Sequence, residues 1–184
     1  RLREVALLGK AGKLDEAREA LHRAIPKNDQ QRVQLILVEA QLFREGKQYE
    51  MCYQVLEQGL EKFPEHAELL YSTAMAAEKL KKNVLFEKLI RKLIKIDPGN
   101  AHAYNALGYS LLDRNVRIPE AMRLVEKAHQ LAPDDVAIMD SVGWGHYLMG
   151  NLDKSIEFLR RAFNANPNPD PEIAAHLGEV LWQQ

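Results

Sequence analysis

The side chains in this sequence with the strongest intrinsic chemistry are six histidines, one cysteine and a local run of lysines and arginines. His22, His66, His102, His129, His146 and His176 are scattered, with no H-E-x-x-H or comparable ligand spacing, so zinc ligation and metal-assisted hydrolysis are not expected. His146 reads as a packing residue. Cys52 stands alone, which excludes an internal disulfide and a cysteine-based metal site; a buried, inert thiol is expected. There is no Gly-rich phosphate loop and no G-x-S-x-G. Carboxylates are plentiful, but they fall on exposed helix faces and at caps such as Asp134 and Asp135. The sequence therefore predicts no catalytic residues, no metal and no cofactor.

The basic run KLKKNVLFEKLIRKLIK, residues 79–95, sets seven cations against the single acid Glu87. Lys88, Arg91, Lys92 and Lys95 share one helix face at i, i+3, i+4, i+7 spacing. A solvated face is the plain reading; docking of an acidic partner or an anionic lipid surface is the alternative. Nucleic acid is not expected, because no aromatic residues are interleaved on that face and the net charge of −1 supplies no wider field.

The elements that carry these residues are marked by proline. Pro64, Pro98, Pro133 and Pro167 are 34, 35 and 34 residues apart, in the contexts EKFPEH, KIDPGN, QLAPDD and NANPNP. Between them each unit reads as two amphipathic helices, a short turn and a proline stop, with no period-two stretch to make a strand. With 46% apolar and 28% charged residues over 184 positions, the chain is globular and long enough for a substantial core. No apolar run approaches a membrane span. The chain opens RLREVALLGKAGK, without an initiator methionine or signal peptide, and closes GEVLWQQ, so it is expected to be a segment of a longer protein.

Aligned on the prolines, the unit AHAYNALGYSLLDRNVRIPEAMRLVEKAHQLAPDD shows Tyr104, Leu107-Gly108 and Leu111, then Ala121, Val125 and Ala128. The next shows Met139, Val142-Gly143 and His146, then Ser155, Leu159 and Ala162. This pattern resembles the tetratricopeptide repeat. The resemblance implies an all-α, right-handed α-solenoid of about five helix pairs plus a trailing helix. It forms a single array over residues 1–184, with units near 1–30, 31–66, 67–100, 101–135 and 136–169 and a trailing helix at 170–184. Gly108 and Gly143 then fall where the two helices of a pair cross, with Ala40 and Ala74 in the same slot. Gly12 and Gly150 fall in turns where positive φ is useful. Gly145 is not asked for by the pattern; it either opens the edge of a binding groove or relieves crowding against the neighbouring repeat. In the third unit Phe86 and Leu93 stand where small residues are usual, which predicts wider or shifted packing. Asp170 and Pro171 are a good N-cap and first residue for the trailing helix.

The same resemblance implies a concave groove lined by the first helix of each pair, and places the basic run on the convex side. Carried onto this chain, the lining is Glu68, Tyr71, Met75 and Glu78, then His102, Asn105, Tyr109 and Leu112. Asp140, Trp144 and Tyr147 follow, and then Glu172, Ala175, Glu179 and Trp182. Tyrosine, tryptophan and methionine on one concavity are the side chains of binding hot spots. With Tyr71, Met75, Asn105, Tyr109, Asp140 and Trp144 in place of cations, a clamp for a free carboxylate is not expected. The implied function is a non-enzymatic adaptor that holds a protein or peptide. NALGYSLLDR, AMRLVEKAHQLAPDD and DPEIAAHLGEVLW look like a narrower group, the tetratricopeptide lipoproteins of the Gram-negative outer membrane. That group includes an adaptor that recruits a carboxyl-terminal processing protease. The likeness implies a periplasmic location through a lipid anchor outside residues 1–184, with a cytoplasmic location as the alternative. A pilus or secretin assembly lipoprotein, or the substrate-recruiting arm of an enzyme such as a glycosyltransferase, are the other forms. Self-association through the apolar face of the trailing helix (Ile173, Leu177, Leu181) is also expected.

Overall fold

The computed structural model describes residues 5, 8–9, 11–165, 168 and 170–183. Pro167 and most of the first helix of the first unit lie outside them. By packing, the array divides into two compact units, Arg1–Ile96 and Asp97–Gln184. Ten helices are described, and no strand occurs among the described residues.

In the N-terminal unit α1 (Leu14–His22) packs on α2 (Asp29–Glu45); α2 pairs with α3 (Tyr49–Lys62), and α4 (Ala67–Lys79) with α5 (Asn83–Ile96). In the C-terminal unit α6 (Ala101–Asp113) pairs with α7 (Ile118–Leu131), and α8 (Val136–Leu148) with α9 (Leu152–Asn164). The trailing helix α10 (Pro171–Trp182) packs on α9 and α8. The stops are where proline predicts them: α3, α5 and α7 end two residues before Pro64, Pro98 and Pro133. The starts are capped by short polar side chains. Asn28, Asn100, Asp135 and Asp170 accept the backbone N–H of Gln31, Ala103, Ile138 and Glu172 at 2.8–3.0 Å.

The crossing glycines do what the repeat pattern asks. A Cβ on Gly108 would meet Val125 Cγ1 at 2.6 Å and the Ala121 carbonyl at 3.1 Å. One on Gly143 would meet Leu159 Cγ at 2.7 Å and the Leu159 nitrogen at 3.2 Å. Gly145 faces the interior, not the groove: its absent side chain makes room for the Met122 sulfur and Leu112. Of its two possible roles, relief of crowding is the one the packing supports. The third unit solves its bulk problem by exchanging sizes across the pair. Phe86, Ile90 and Leu93 on α5 are fully buried, and so are Ala74 and Ala77 on the α4 side. His146 is buried and stacks on Phe158 with ring centroids 6.0 Å apart, and burial together with the nearby Lys154 holds its pKa below the ordinary histidine value. Cys52 is also buried, which pushes its thiol pKa up, with Arg44 pulling slightly the other way.

Each turn within a pair contains a residue in the left-handed region: Gly12, Lys47, Lys81 and Gly150, and in the fourth turn both Asn115 and Arg117, with φ between 50° and 79°. Lys81, at φ 60°, occupies the place that glycine fills in the first and fifth turns. A side chain there costs the folded chain energy that glycine does not. Lys81→Gly is therefore expected to stabilise the N-terminal unit by about 0.5–1 kcal/mol, read as a higher urea midpoint with an unchanged slope.

Candidate functional site

The first helices of the pairs border open clefts, and one in each unit is lined by residues that the repeat register predicts. In the N-terminal unit α2, α3 and α4 enclose about 360 Å³, lined by Leu37, Gln41, Tyr71 and Met75, with Cys52 and Leu56 beneath. Tyr71 and Met75 are the residues the repeat register predicts. Leu37 and Gln41 stand one 34-residue period upstream of them, so the period itself carried the signal for these two. Glu68, Arg44 and Lys79 also line this cleft.

In the C-terminal unit α6, α8 and α10 border a cleft of about 280 Å³, with Asn105 and Tyr109 from α6, Asp140 and Ser141 from α8, and Asp170 and Glu172 at the start of α10. No lysine or arginine lines it. Three polar contacts tie α10 across this face. The Tyr109 hydroxyl donates to Glu172 Oε1, spanning from the fourth repeat to the trailing helix. His176 Nδ1 lies 3.0 Å from both oxygens of Asp140, and the Tyr147 hydroxyl donates to Glu179 at 3.2 Å. The His176 ring stacks on Trp144, with centroids 4.2 Å apart and an 18° tilt. Burial alone would lower the His176 pKa, but the Asp140 hydrogen bond and charge, with Glu172 and Glu179 adding, raise it above the ordinary value. Burial and the Glu172 bond push the Tyr109 phenol far up, which keeps it a donor.

The predicted lining is thus sorted. Asn105, Tyr109 and Asp140 come together at the C-terminal cleft, and Tyr71 and Met75 at the N-terminal one. Trp144, Tyr147 and Glu179 belong to the contacts that seat α10, and His102 lies exposed 3.9 Å from Asp135. Leu112 is a correction. It is 1% exposed, turned inward into the space left by Gly145. Asp140, 5% exposed and bound to His176, is more a structural carboxylate than a surface one. His176 was not predicted, because nothing in a helix of ordinary composition points to a partner 36 residues upstream. The basic face is also smaller than expected. Lys92 Nζ donates to the Pro64 carbonyl at 2.6 Å and Arg91 pairs with Glu87 at 3.7 Å, leaving Lys88 and Lys95 as the exposed cations of the four. Among the described residues no three metal-ligating side chains converge, and no helix is long and apolar enough to cross a membrane.

Helix pairs in a 34- to 35-residue register, with open clefts on their first helices, define a repeat scaffold. Residues 54–101 and 145–169 match models of the tetratricopeptide repeat, and the chain is an all-α array of such repeats. It is 45% identical over 178 residues to TPR repeat-containing protein PA4667 of Pseudomonas aeruginosa, covering 97% of this chain and 30% of that relative. The chain therefore spans about a third of the length of the curated relative it matches. Among solved structures it is similar in fold to MamA of Desulfovibrio magneticus (TM-score 0.69, 20% identity, 87% of each chain). It is likewise similar to YrrB, a tetratricopeptide protein described as having an unusual peptide-binding site (TM-score 0.66, 17% identity, 95% of this chain and 88% of that one).

Proposed function

We propose that this chain is an adaptor segment that holds an extended stretch of a partner protein in its first-helix clefts. The observation that carries the reading is the shared sequence register of the cleft-lining residues: Leu37 and Tyr71 line the N-terminal cleft 34 residues apart, and Asn105 and Asp140 the C-terminal one 35 residues apart. Within each unit by itself, side chains repeated on successive first helices suit a short extended segment, whose own side chains repeat at a fixed rise. The peptide-binding site described for YrrB supports the reading by analogy of fold. The likeness of residues 98–184 to envelope adaptors supports one specific form of it, in which the retained partner is a periplasmic protease.

The test is capture from a Gram-negative envelope extract by wild-type chain beside Met75→Arg and Ala137→Arg. Met75→Arg lies away from α10; Ala137→Arg faces Glu172, so an unchanged circular dichroism melt is required of it before its binding is compared. Retention of a protease by wild type and its loss from either variant is the expected result. Equal retention by all three would place binding outside the clefts and sink the proposal.

A further inference from the structure

Gly178 is a glycine in the interior of α10 that no contact in the C-terminal unit requires. It lies 35 residues after Gly143, which lies 35 after Gly108. A Cβ on Gly108 would meet Ala121 and Val125 of α7, 13 and 17 residues onward, and one on Gly143 would meet Leu159 of α9, 16 residues onward. A Cβ on Gly178 would meet nothing within 4 Å. An interior glycine weakens a helix relative to alanine, and at Gly108 and Gly143 the close approach of a second helix offsets that loss.

The neighbours of Gly178 are open in the same way. Ile173, Leu177 and Val180 seat one face of α10 on α8 and α9, so most of the apolar face expected to drive self-association is already covered. The opposite face carries Ala174, Gly178, Leu181 and Trp182, all exposed, the tryptophan to 88%. One and two periods before Leu181 stand His146 and Leu111, which are 8% and 0% exposed where Leu181 is 39%. α7 and α9 show what such a face receives. They bury Ala121, Val125 and Ala128, and Ser155, Leu159 and Ala162: a small, a branched apolar and a small residue at i, i+4, i+7. From this we infer that the open face of α10 seats a helix with that seam, supplied by the part of the protein that follows residue 184. A residue 13 to 17 positions beyond Gly178 crosses it and completes a sixth pair. PA4667 has most of its length outside the stretch this chain matches, which is ample for one more helix.

Hydrogen exchange of the α10 amides, measured in the 184-residue chain and in the full-length protein, tests this with Gly178→Ala. In the 184-residue chain the added methyl meets nothing, so exchange should be unchanged or slower, since alanine favours the helix. In the full-length protein the same methyl would stand in the crossing, and exchange should be about tenfold faster. Gly143→Ala, whose crossing is filled by Leu159, is the control and should speed exchange in both. If Gly178→Ala slows exchange in both, no helix crosses this face and the inference fails. If it speeds exchange in the 184-residue chain as well, the occupant is not the following segment. A dimer mass by light scattering that Gly178→Ala reduces to a monomer would then identify a second copy in its place.

Discussion

Phe86→Ala is expected to lower the stability of the N-terminal unit by about 3–5 kcal/mol, a large share of the roughly 5–15 kcal/mol usual for a domain. The ring is fully buried in the α4/α5 pair, and the residues on the α4 side of that pair, Ala74 and Ala77, are too short to collapse into the space. Leu69 and Leu70 on α4 are buried as well, but Phe86 is the largest fully buried side chain among the described residues, so its truncation opens the largest gap. Urea unfolding followed by far-ultraviolet circular dichroism measures the effect, and Phe86→Leu, which preserves most of the volume, should recover much of it. A loss below about 1 kcal/mol for Phe86→Ala would mean that the pair closes over the gap.

Asp140→Ala should cost about 3 kcal/mol, because it leaves the His176 imidazolium nearly buried without its counter-charge. Asp140 and His176 have side chains only 8% and 12% exposed, so solvent screens the pair weakly. The pH dependence follows from the raised His176 pKa. The folded state holds the proton more tightly than the unfolded chain, so the contribution is complete below the ordinary histidine pKa. It fades as pH rises through the raised folded value. The charged groups around the ring, Asp140 on α8 and Glu172 and Glu179 on its own helix, all favour the proton. Hydrogen exchange of the α10 amides, measured from mildly acidic to alkaline pH, should therefore show protection falling as pH rises in the wild type. The fall should be lost in Asp140→Asn, where burial, which lowers the His176 pKa, is opposed only by Glu172 and Glu179. A wild-type trend of the opposite sign would show that His146, whose depressed pKa weakens the fold on the acid side, dominates the unit instead.

How far the sequence foretold this structure depends on which interaction decides each feature. Proline spacing located the helix pairs because a proline stop is a local backbone effect. Gly12 and Gly150 announced two of the six left-handed residues and Asn115 is of a type that tolerates that conformation, whereas Lys47, Lys81 and Arg117 sit in it without any compositional sign. There the turn is imposed by the pairing of the flanking helices, and the residue tolerates it. The groove register was legible at Tyr71, Met75, Asn105 and Tyr109 because one period repeats along the chain. It failed at Leu112, where the missing side chain of Gly145, on the next first helix, lets the leucine turn inward. His176 and Asp140 were invisible as a pair, since their contact depends on how α10 lies against α8.

The hydroxyl of Tyr109 reaches Glu172, sixty-three positions away, across the whole of the intervening helix pair. A stack of repeats in which each touches only its neighbours behaves as a one-dimensional chain, free to fray one element at a time from its end. A bond that skips a repeat limits that freedom, since α10 detaches only by also releasing a residue of α6, at a cost of at most about 1.5–3 kcal/mol. The last helix is thereby harder to fray than an end held by its neighbour alone.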